Sequence, residues 1–254
     1  MGAMATSDAS EPKPDYGIDA PIVLRRLLLI GATGILLGFV VGPLLVDVAG
    51  AWLGDIADIA GKVGIGCFAA AGLLVWGSKV TKFRMRDRLF DRIPWRGNER
   101  VLDVGCGHGL MLIGAAKRTE RGRAVGVDVW REYDQAGNRA EVPMANARIE
   151  GVDGRVEVRD GDARDLPFDD ACFDVVTSSL AIHNIDSREE RAQAIREMAR
   201  VLKPGGYVGV IDIYRSREYA KTLRELGFED VSWRLTGHSV VPAFQVFGRK
   251  PAAA

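Results

Sequence analysis

Residues 101–110 read Val-Leu-Asp-Val-Gly-Cys-Gly-His-Gly-Leu, and this stretch decides the fold of the 254-residue chain. An apolar run typical of a buried strand ends in a turn with Gly105, Gly107 and Gly109, and a helical pattern begins at Leu110. Glycine adopts backbone conformations closed to other residues and lets a ligand approach the main chain. The order of strand, tight loop and helix therefore predicts a ligand-binding loop.

The spacing of these glycines is G-x-G-x-G, whereas the dinucleotide fingerprint requires G-x-G-x-x-G and position 110 is leucine. With Asp103 two residues before the first glycine, the stretch resembles motif I of the class I S-adenosylmethionine-dependent methyltransferases. Four later stretches are similar to that family's other motifs: residues 124–128, 159–163, 173–179 and 202–208. The resemblance covers roughly residues 95–250.

Strand and helix patterns alternate after this motif, which predicts an α/β fold with helices on both faces of a parallel sheet. The predicted elements are strand 123–129, a helix within 135–150 interrupted at Pro143, strands 155–159 and 173–179, helix 188–202 after a capping box at Ser187, strand 207–213, helix 218–226, and strands 229–236 and 239–249. The resemblance implies a doubly wound, Rossmann-like and mostly parallel sheet whose last strand is antiparallel. An α-helical hairpin precedes it.

The resemblance also implies S-adenosylmethionine as the cofactor and assigns residues to it. The carboxylate of Asp128, at the end of the second strand, would accept the ribose hydroxyls, and Asp162 would meet the adenine in preference to Asp160. Asp103 would hold the glycine loop or the cofactor's ammonium. Trp130 would either stack on the adenine or pack beneath the following helix. The full predicted cofactor set is Asp103, Gly105, Cys106, Gly107, Asp128, Val129, Trp130, Gly161, Asp162, Ala163 and Ser179.

Methyl transfer from a sulfonium is a direct displacement, so alignment matters most and an acid or base group is optional. The polar stretch 178–184 follows the fourth predicted strand and contains His183, whose ordinary pKa near neutrality suits a general base. A histidine here could equally pack or cap a helix. The chain's cysteines match no zinc or disulfide spacing, and we expect no metal.

Two apolar runs precede the basic segment that leads to this domain. Residues 27–46 contain no charged residue, and residues 63–78 form a shorter uncharged run that extends back to Ile59 by including Lys62. The first run is long enough to cross a bilayer as a helix. Basic residues lie outside the pair of runs and aspartates between them, so the positive-inside bias predicts a transmembrane hairpin with the catalytic domain on the cytoplasmic side.

Three alternatives remain open for these runs: a signal peptide, a buried helix pair in a soluble cap, and an interfacial second segment. A hairpin favours a small lipophilic acceptor collected from membrane lipid. The alternatives are a soluble or peripheral methyltransferase whose N-terminal helices form a substrate lid or oligomer interface, and a non-catalytic S-adenosylmethionine-binding protein. A net charge of zero gives no reason to expect nucleic acid as a partner.

The chain divides into four predicted parts. Residues 1–20 are a disordered lead-in, 21–78 the hairpin, 79–96 a basic amphipathic linker or helix, and 97–254 the methyltransferase domain. Residues 79–96 suit either a helix on anionic headgroups or the domain's first helix. Gly34, Gly38 and Gly42 share one helix face, a seam that would pack the hairpin or join a homo-oligomer.

Overall fold

Two long helices precede a seven-stranded sheet in the computed structural model, which describes residues 12–18, 20–131, 137–237 and 242–253. The helices are α1 Pro21–Ile35, α2 Gly42–Ala49, α3 Ala51–Trp76, α4 Lys82–Phe90, α5 Leu110–Ala116, α6 Glu141–Ile149, α7 Arg188–Val201 and α8 Ser216–Glu225. The π-helical turns Leu36–Val41 and Gly77–Thr81 join α1 to α2 and α3 to α4.

The strands are β1 Arg100–Val104, β2 Arg123–Asp128, β3 Val156–Asp160, β4 Phe173–Ser179, β5 Leu202–Asp212, β6 Glu229–Gly237 and β7 Ala243–Arg249. Their order is β3-β2-β1-β4-β5-β7-β6, and β7 is antiparallel to both of its neighbours. The predicted doubly wound sheet with an antiparallel last strand is confirmed. The sheet carries a hydrophobic cluster on each face, because β1 and β2 bury almost every side chain.

Three predicted elements differ from the observed ones. β5 begins at Leu202, so the Pro-Gly-Gly turn lies within the strand's irregular start, where the register with β4 shifts and Gly205 has φ +78°. Pro143 does not interrupt α6, because it lies in the first turn, where proline's missing N–H is unneeded. The last strand is described from Ala243, and residues 238–241 lie outside the described residues.

The glycine seam of α1 and α2 packs against α3 within the hairpin. A Cβ on Gly38 would lie 2.5 Å from Cα of Gly61, and one on Gly42 would lie 2.1 Å from Cβ of Ala57. Gly34 approaches the backbone of Gly64 in the same way. These contacts use the seam inside one chain and support packing of the hairpin, and the alternative of a homo-oligomer through Gly34, Gly38 and Gly42 stays a prediction.

The basic segment continues the second helix of the hairpin instead of forming a separate surface helix. α3, the π turn and α4 form one uninterrupted helix from Ala51 to Phe90. Met85, Leu89 and Phe90 are buried in the cluster that also contains α5. Of the two interpretations of this segment, its packing supports the domain's first helix.

Residues 12–18 do not behave as a disordered lead-in. Tyr16 is 5% exposed and packs with Phe83 in an edge-to-face pair. The backbone N–H and carbonyl of Asp15 both bond to the side chain of Asn146, and Lys82 donates to the carbonyl of Tyr16 at 2.8 Å. The segment therefore packs on the domain, and the expectation of disorder fails there.

Candidate functional site

The carboxyl ends of β1, β2, β3 and β4 meet at one edge of the sheet, and the strand order reverses between β1 and β4. In open α/β sheets this point is where ligands bind. A cavity of about 750 Å³ lies there. All but one of the predicted site residues line it: Asp103, Gly105, Cys106, Gly107, Asp128, Val129, Gly161, Asp162, Ala163, Ser179 and His183.

The glycine loop is bound to β2 and packed against the segment that follows β4. The N–H groups of Gly105 and Cys106 both donate to the carbonyl of Val127, at 2.8 and 3.1 Å. Gly105 has φ +71°, and a Cβ on it would lie 2.2 Å from Cβ of Ala181. Only glycine therefore fits between the loop and Ala181 without displacing one of them.

Asp103 lies beneath this loop and is 1% exposed. It accepts hydrogen bonds from the backbone N–H of Leu112 at 3.0 Å and the hydroxyl of Thr177 at 3.1 Å. Burial raises the pKa of Asp103 to about 7, and these two hydrogen bonds act in the opposite direction. Asp103 thus supports the start of α5 and also borders the cavity.

Asp128 connects the glycine loop to the end of β2. One carboxylate oxygen accepts from the N–H of Gly107 at 2.9 Å, and the other accepts from the N–H of Trp130 at 2.8 Å and the amide of Asn138 at 3.1 Å. A carboxylate offers about four acceptor positions. One position remains for a ligand hydroxyl, and a second becomes free if Asn138 turns away.

The turn after β3 places Gly161, Asp162 and Ala163 in the cavity wall, where Asp162 forms an ion pair with Arg164 at 2.6 Å. The hydrogen bonds from Arg164 hold the pKa of Asp162 below its usual value. Arg164 also reaches Glu190 at 3.0 Å. The pairing of Asp162 with adenine stays a prediction.

Trp130 occupies a different place from the predicted one. Its indole N–H donates to Asp160 at 2.6 Å, its ring packs against the buried cluster, and it does not line the cavity. Val129 does line the cavity and is 46% exposed. Of the two roles open for Trp130, packing has structural support and stacking on adenine does not. Tyr133, a second candidate for stacking, lies outside the described residues.

Cys106 is buried, and burial raises the pKa of its thiol well above the usual value. A protonated, inaccessible thiol is a poor nucleophile. Its sulfur would lie 2.7 Å from a Cβ on Gly126, so Cys106 acts as a small residue in a tight turn.

His183 lies in the one-turn helix Ile182–Asn184 after β4 and borders the cavity with 18% of its side chain exposed. Its ring Nδ1 is 2.6 Å from Oδ1 of Asp212, the last residue of β5. The sequence pattern predicted the histidine but missed the aspartate, because a single acidic residue at a strand end carries no distinguishing signal.

The sequence pattern also missed Asn138 and Asn146, because a single asparagine in or before a helix carries no distinguishing signal. Asn138 is 4% exposed and lines the cavity beside Asp128. Asn146 joins the carbonyl of His108, in the glycine loop, to Asp15. Among the described residues no group of three or more His, Cys, Asp or Glu side chains is arranged to hold a metal ion.

The fold and the cavity at its switch point define a class I, Rossmann-like ligand-binding domain. Residues 102–210 match the family described as Methyltransferase domain. This match agrees with the motifs that resemble the S-adenosylmethionine-dependent methyltransferases. The cavity suits that cofactor, since glycines let it reach the backbone of the loop and the acceptor groups of Asp128 face it.

Three similar proteins are named methyltransferases. Methyltransferase GfsG of Streptomyces halstedii is 38% identical over 51% of this chain and 43% of its own length. The 27-O-demethylrifamycin SV methyltransferase of Amycolatopsis mediterranei is 31% identical over 59% and 61%. The chloroplastic 2-phytyl-1,4-beta-naphthoquinone methyltransferase of Arabidopsis thaliana is 34% identical over 52% and 50%. The chain spans about half the length of these relatives.

Solved structures share the fold at low identity. A SAM-dependent methyltransferase from Aquifex aeolicus is 20% identical with a TM-score of 0.54, covering 67% of this chain and 93% of its own. The [4+2]-cyclase SpnF is 21% identical with a TM-score of 0.57, covering 67% and 82%. A cyclase on the same fold means that the fold alone does not select the reaction.

Proposed function

We propose that this protein is a membrane-anchored methyltransferase that transfers a methyl group from S-adenosylmethionine to a small lipophilic acceptor. One observation carries the proposal. The cavity that contains the cofactor loop also extends to the root of the hairpin, where Ile22, Val23, Leu74 and Met85 line it. An apolar acceptor that enters between the helices at this root would reach the cofactor edge without crossing water.

The outer surface of the hairpin supports a lipid environment. Leu29, Phe39 and Ile59 are each more than half exposed, and an apolar surface of this kind is unfavourable in water. Trp52 and Trp76 are also exposed and stand about 24 residues apart on one helix, which is roughly 36 Å at the helical rise. Tryptophans at that spacing suit the two interfaces of a bilayer.

The charges at the root support a cytoplasmic catalytic domain. Arg25 and Arg26 are exposed in the first turns of α1, and Lys79 is exposed at the end of the second apolar segment. All three lie at the end of the hairpin that joins the domain. An excess of basic residues marks the cytoplasmic side of a membrane helix.

The names of the relatives support a small-molecule acceptor, since one is named for a naphthoquinone and another for a rifamycin. When bound, S-adenosylmethionine supplies a methyl group activated by a sulfonium. The chain's own residues would orient it: Asp128 by accepting ribose hydroxyls, Asp162 at the adenine, and Asp103 near the ammonium. His183 would accept a proton from the acceptor.

A peripheral enzyme is the second candidate, and the shared cavity itself favours it. α4 belongs to the domain core and the hairpin root forms part of the cavity wall, as a substrate lid would. Both apolar helices are long enough to span a membrane, but a signal sequence or a core helix of a soluble protein meets the same criterion. Alkaline carbonate extraction separates the two candidates, because an integral hairpin stays with the membrane and a lid is released.

The function is tested by incubating detergent-purified protein with methyl-labelled S-adenosylmethionine and a total membrane extract. We expect label in the organic phase, lost in Asp128→Ala and retained in the control Asp153→Ala, which removes an exposed carboxylate that does not line the cavity. Label found only in the aqueous phase would reject the lipophilic acceptor. Absence of any labelled product would reject methyl transfer.

A further inference from the structure

Asp212 is fully buried and its carboxylate is held from four directions. Oδ1 accepts from the N–H of Ile213 at 2.9 Å and lies 2.6 Å from Nδ1 of His183. Oδ2 accepts from the backbone N–H of His183 at 3.0 Å and from the hydroxyl of Tyr219 at 3.1 Å. Because each oxygen is engaged on two sides, the carboxylate has no freedom to rotate.

A neutral imidazole carries its proton on either Nδ1 or Nε2. A fixed carboxylate beside Nδ1 favours a proton there, which leaves the lone pair on Nε2. At 2.6 Å from Oδ1 of Asp212, Nδ1 lacks a straight hydrogen bond, and a turn of the ring about Cβ–Cγ would supply one. Catalytic hydrogen bonds often tighten only when substrate is bound.

We propose that Asp212, fixed by Tyr219, is a positioning residue that holds His183 with Nε2 free to take a proton from a hydroxyl acceptor. The inference rests on the proposed function and narrows its acceptor to a hydroxyl that is un-ionised near neutral pH. Such an acceptor needs a base, whereas an acceptor that is already an anion does not.

The proton and electron pairs balance in this step. The acceptor's O–H bond breaks and its proton goes to Nε2 of His183. The oxygen's electron pair forms the bond to the methyl carbon, and the pair of the broken carbon–sulfur bond stays on sulfur, which becomes neutral. The imidazolium formed lies against the buried carboxylate of Asp212, where an opposite charge stabilises it strongly. The imidazolium then returns its proton to water.

The other ionisable groups around His183 are consistent with this role. The ring of Tyr214 is 6.3 Å away and meets it edge-on. Burial and the charge of Asp212 raise the pKa of Tyr219, so its hydroxyl stays a donor at all working pH values. Asp186 and Glu190 line the same cavity.

The tautomer is measured without substrate or cofactor. Nitrogen-15 spectra of the full chain labelled at histidine, with the His183 signals assigned from His183→Gln, should show the Nδ1-protonated form in the wild type. In Asp212→Asn the carboxylate beside Nδ1 is lost, so we expect the Nδ1-protonated fraction to decrease. An Nε2-protonated His183 in the wild type, or spectra unchanged by Asp212→Asn, would overturn the inference.

Kinetics give the second readout. With an aliphatic alcohol acceptor, Asp212→Asn should lower kcat about 10²- to 10⁴-fold and leave the KM for S-adenosylmethionine within about twofold. Tyr219→Phe removes one of the four contacts and should lower kcat about 2- to 10-fold. With an acidic phenol that is already ionised, both losses should shrink to near twofold, since no base is needed.

Equal losses with both acceptors would show that Asp212 supports the fold and does not position a base. A wild-type protein that methylates neither acceptor would reject the proposed function, whereas the tautomer measurement would still decide the role of Asp212. The exposed carboxylate variant Asp169→Asn serves as the control for a general effect of charge removal.

Discussion

Gly105→Ala tests how closely the glycine loop packs against the segment after β4. At φ +71° an alanine costs about 1–2 kcal/mol in backbone strain. Its Cβ would lie 2.2 Å from Cβ of Ala181, far inside the roughly 3.5–4.0 Å at which carbon atoms pack. Overpacking of this kind costs about 1–3 kcal/mol. We therefore expect the variant to lose about 2–5 kcal/mol, as lower stability or weaker cofactor binding.

A double-mutant cycle separates the two costs. Gly97→Ala introduces the same strain at φ +82°, where nothing lies within 4 Å of the added Cβ, so it measures backbone strain alone. Ala181→Gly removes the methyl group that Gly105→Ala would meet. Combined with Gly105→Ala, it should recover about 1–3 kcal/mol, which is the coupling energy of the pair. The residual loss should match that of Gly97→Ala.

The assay combines denaturant unfolding followed by tryptophan fluorescence with calorimetric titration of S-adenosylhomocysteine. Each variant is measured in the same detergent as the wild type. A coupling energy within about 0.5 kcal/mol of zero would refute the reasoning, because two groups that do not touch give additive effects. In that event the strain at Gly105 alone would explain why glycine is needed.

Gly38→Ala should lower the thermal midpoint of unfolding, since its Cβ would lie 2.5 Å from the backbone of Gly61. The control Gly66→Ala should raise stability by up to about 1 kcal/mol, because nothing lies within 4 Å of its added Cβ. Equal shifts in the two variants would contradict the observed seam. Asp103, with a pKa of about 7, should release up to about half a proton when the cationic cofactor binds at pH 7, because a nearby positive charge lowers its pKa. Calorimetric titration in buffers of different ionisation enthalpy measures this proton release, and Asp103→Asn should abolish it. Asn146→Ala removes both bonds to Asp15 and should increase hydrogen exchange in residues 12–18; unchanged exchange would show that the other contacts suffice.

The sequence predicted the centre of the domain well because its signals there are local. β4 matches its predicted bounds, residues 173–179, because this stretch resembles the family's fourth-strand motif. Motif spacing likewise placed Gly105 and Asp128 at one edge of the sheet. Gly105 directly follows β1 and Asp128 is the last residue of β2, and the carboxyl ends of parallel strands lie at the same edge of the sheet.

The misplaced features depend on partners far away in the chain. Trp130 was expected near the cofactor, but its indole N–H bonds to Asp160 on the neighbouring strand. The packing of Tyr16 depends on Lys82 and Glu150, which no local pattern connects to residue 16. A prediction from composition uses only the polar character of residues 1–20, so it predicts disorder. Contacts with residues distant in the sequence order residues 12–18 instead.

The long helix from Ala51 to Phe90 connects the hairpin directly to the cavity. A detachable anchor would end in a linker, but the helix continues from Ala51 to Phe90 and its last turns are core of the domain. The π turn Gly77–Thr81 lies where the helix leaves the hairpin, and Gly77, Ser78 and Thr81 all border the cavity. π turns inside long helices often occur at functional sites. A tilt of the hairpin would therefore change the cavity wall directly. If the hairpin spans a membrane as we propose, the KM for an apolar acceptor measured in vesicles of different lipid chain length should change more than the affinity for S-adenosylhomocysteine.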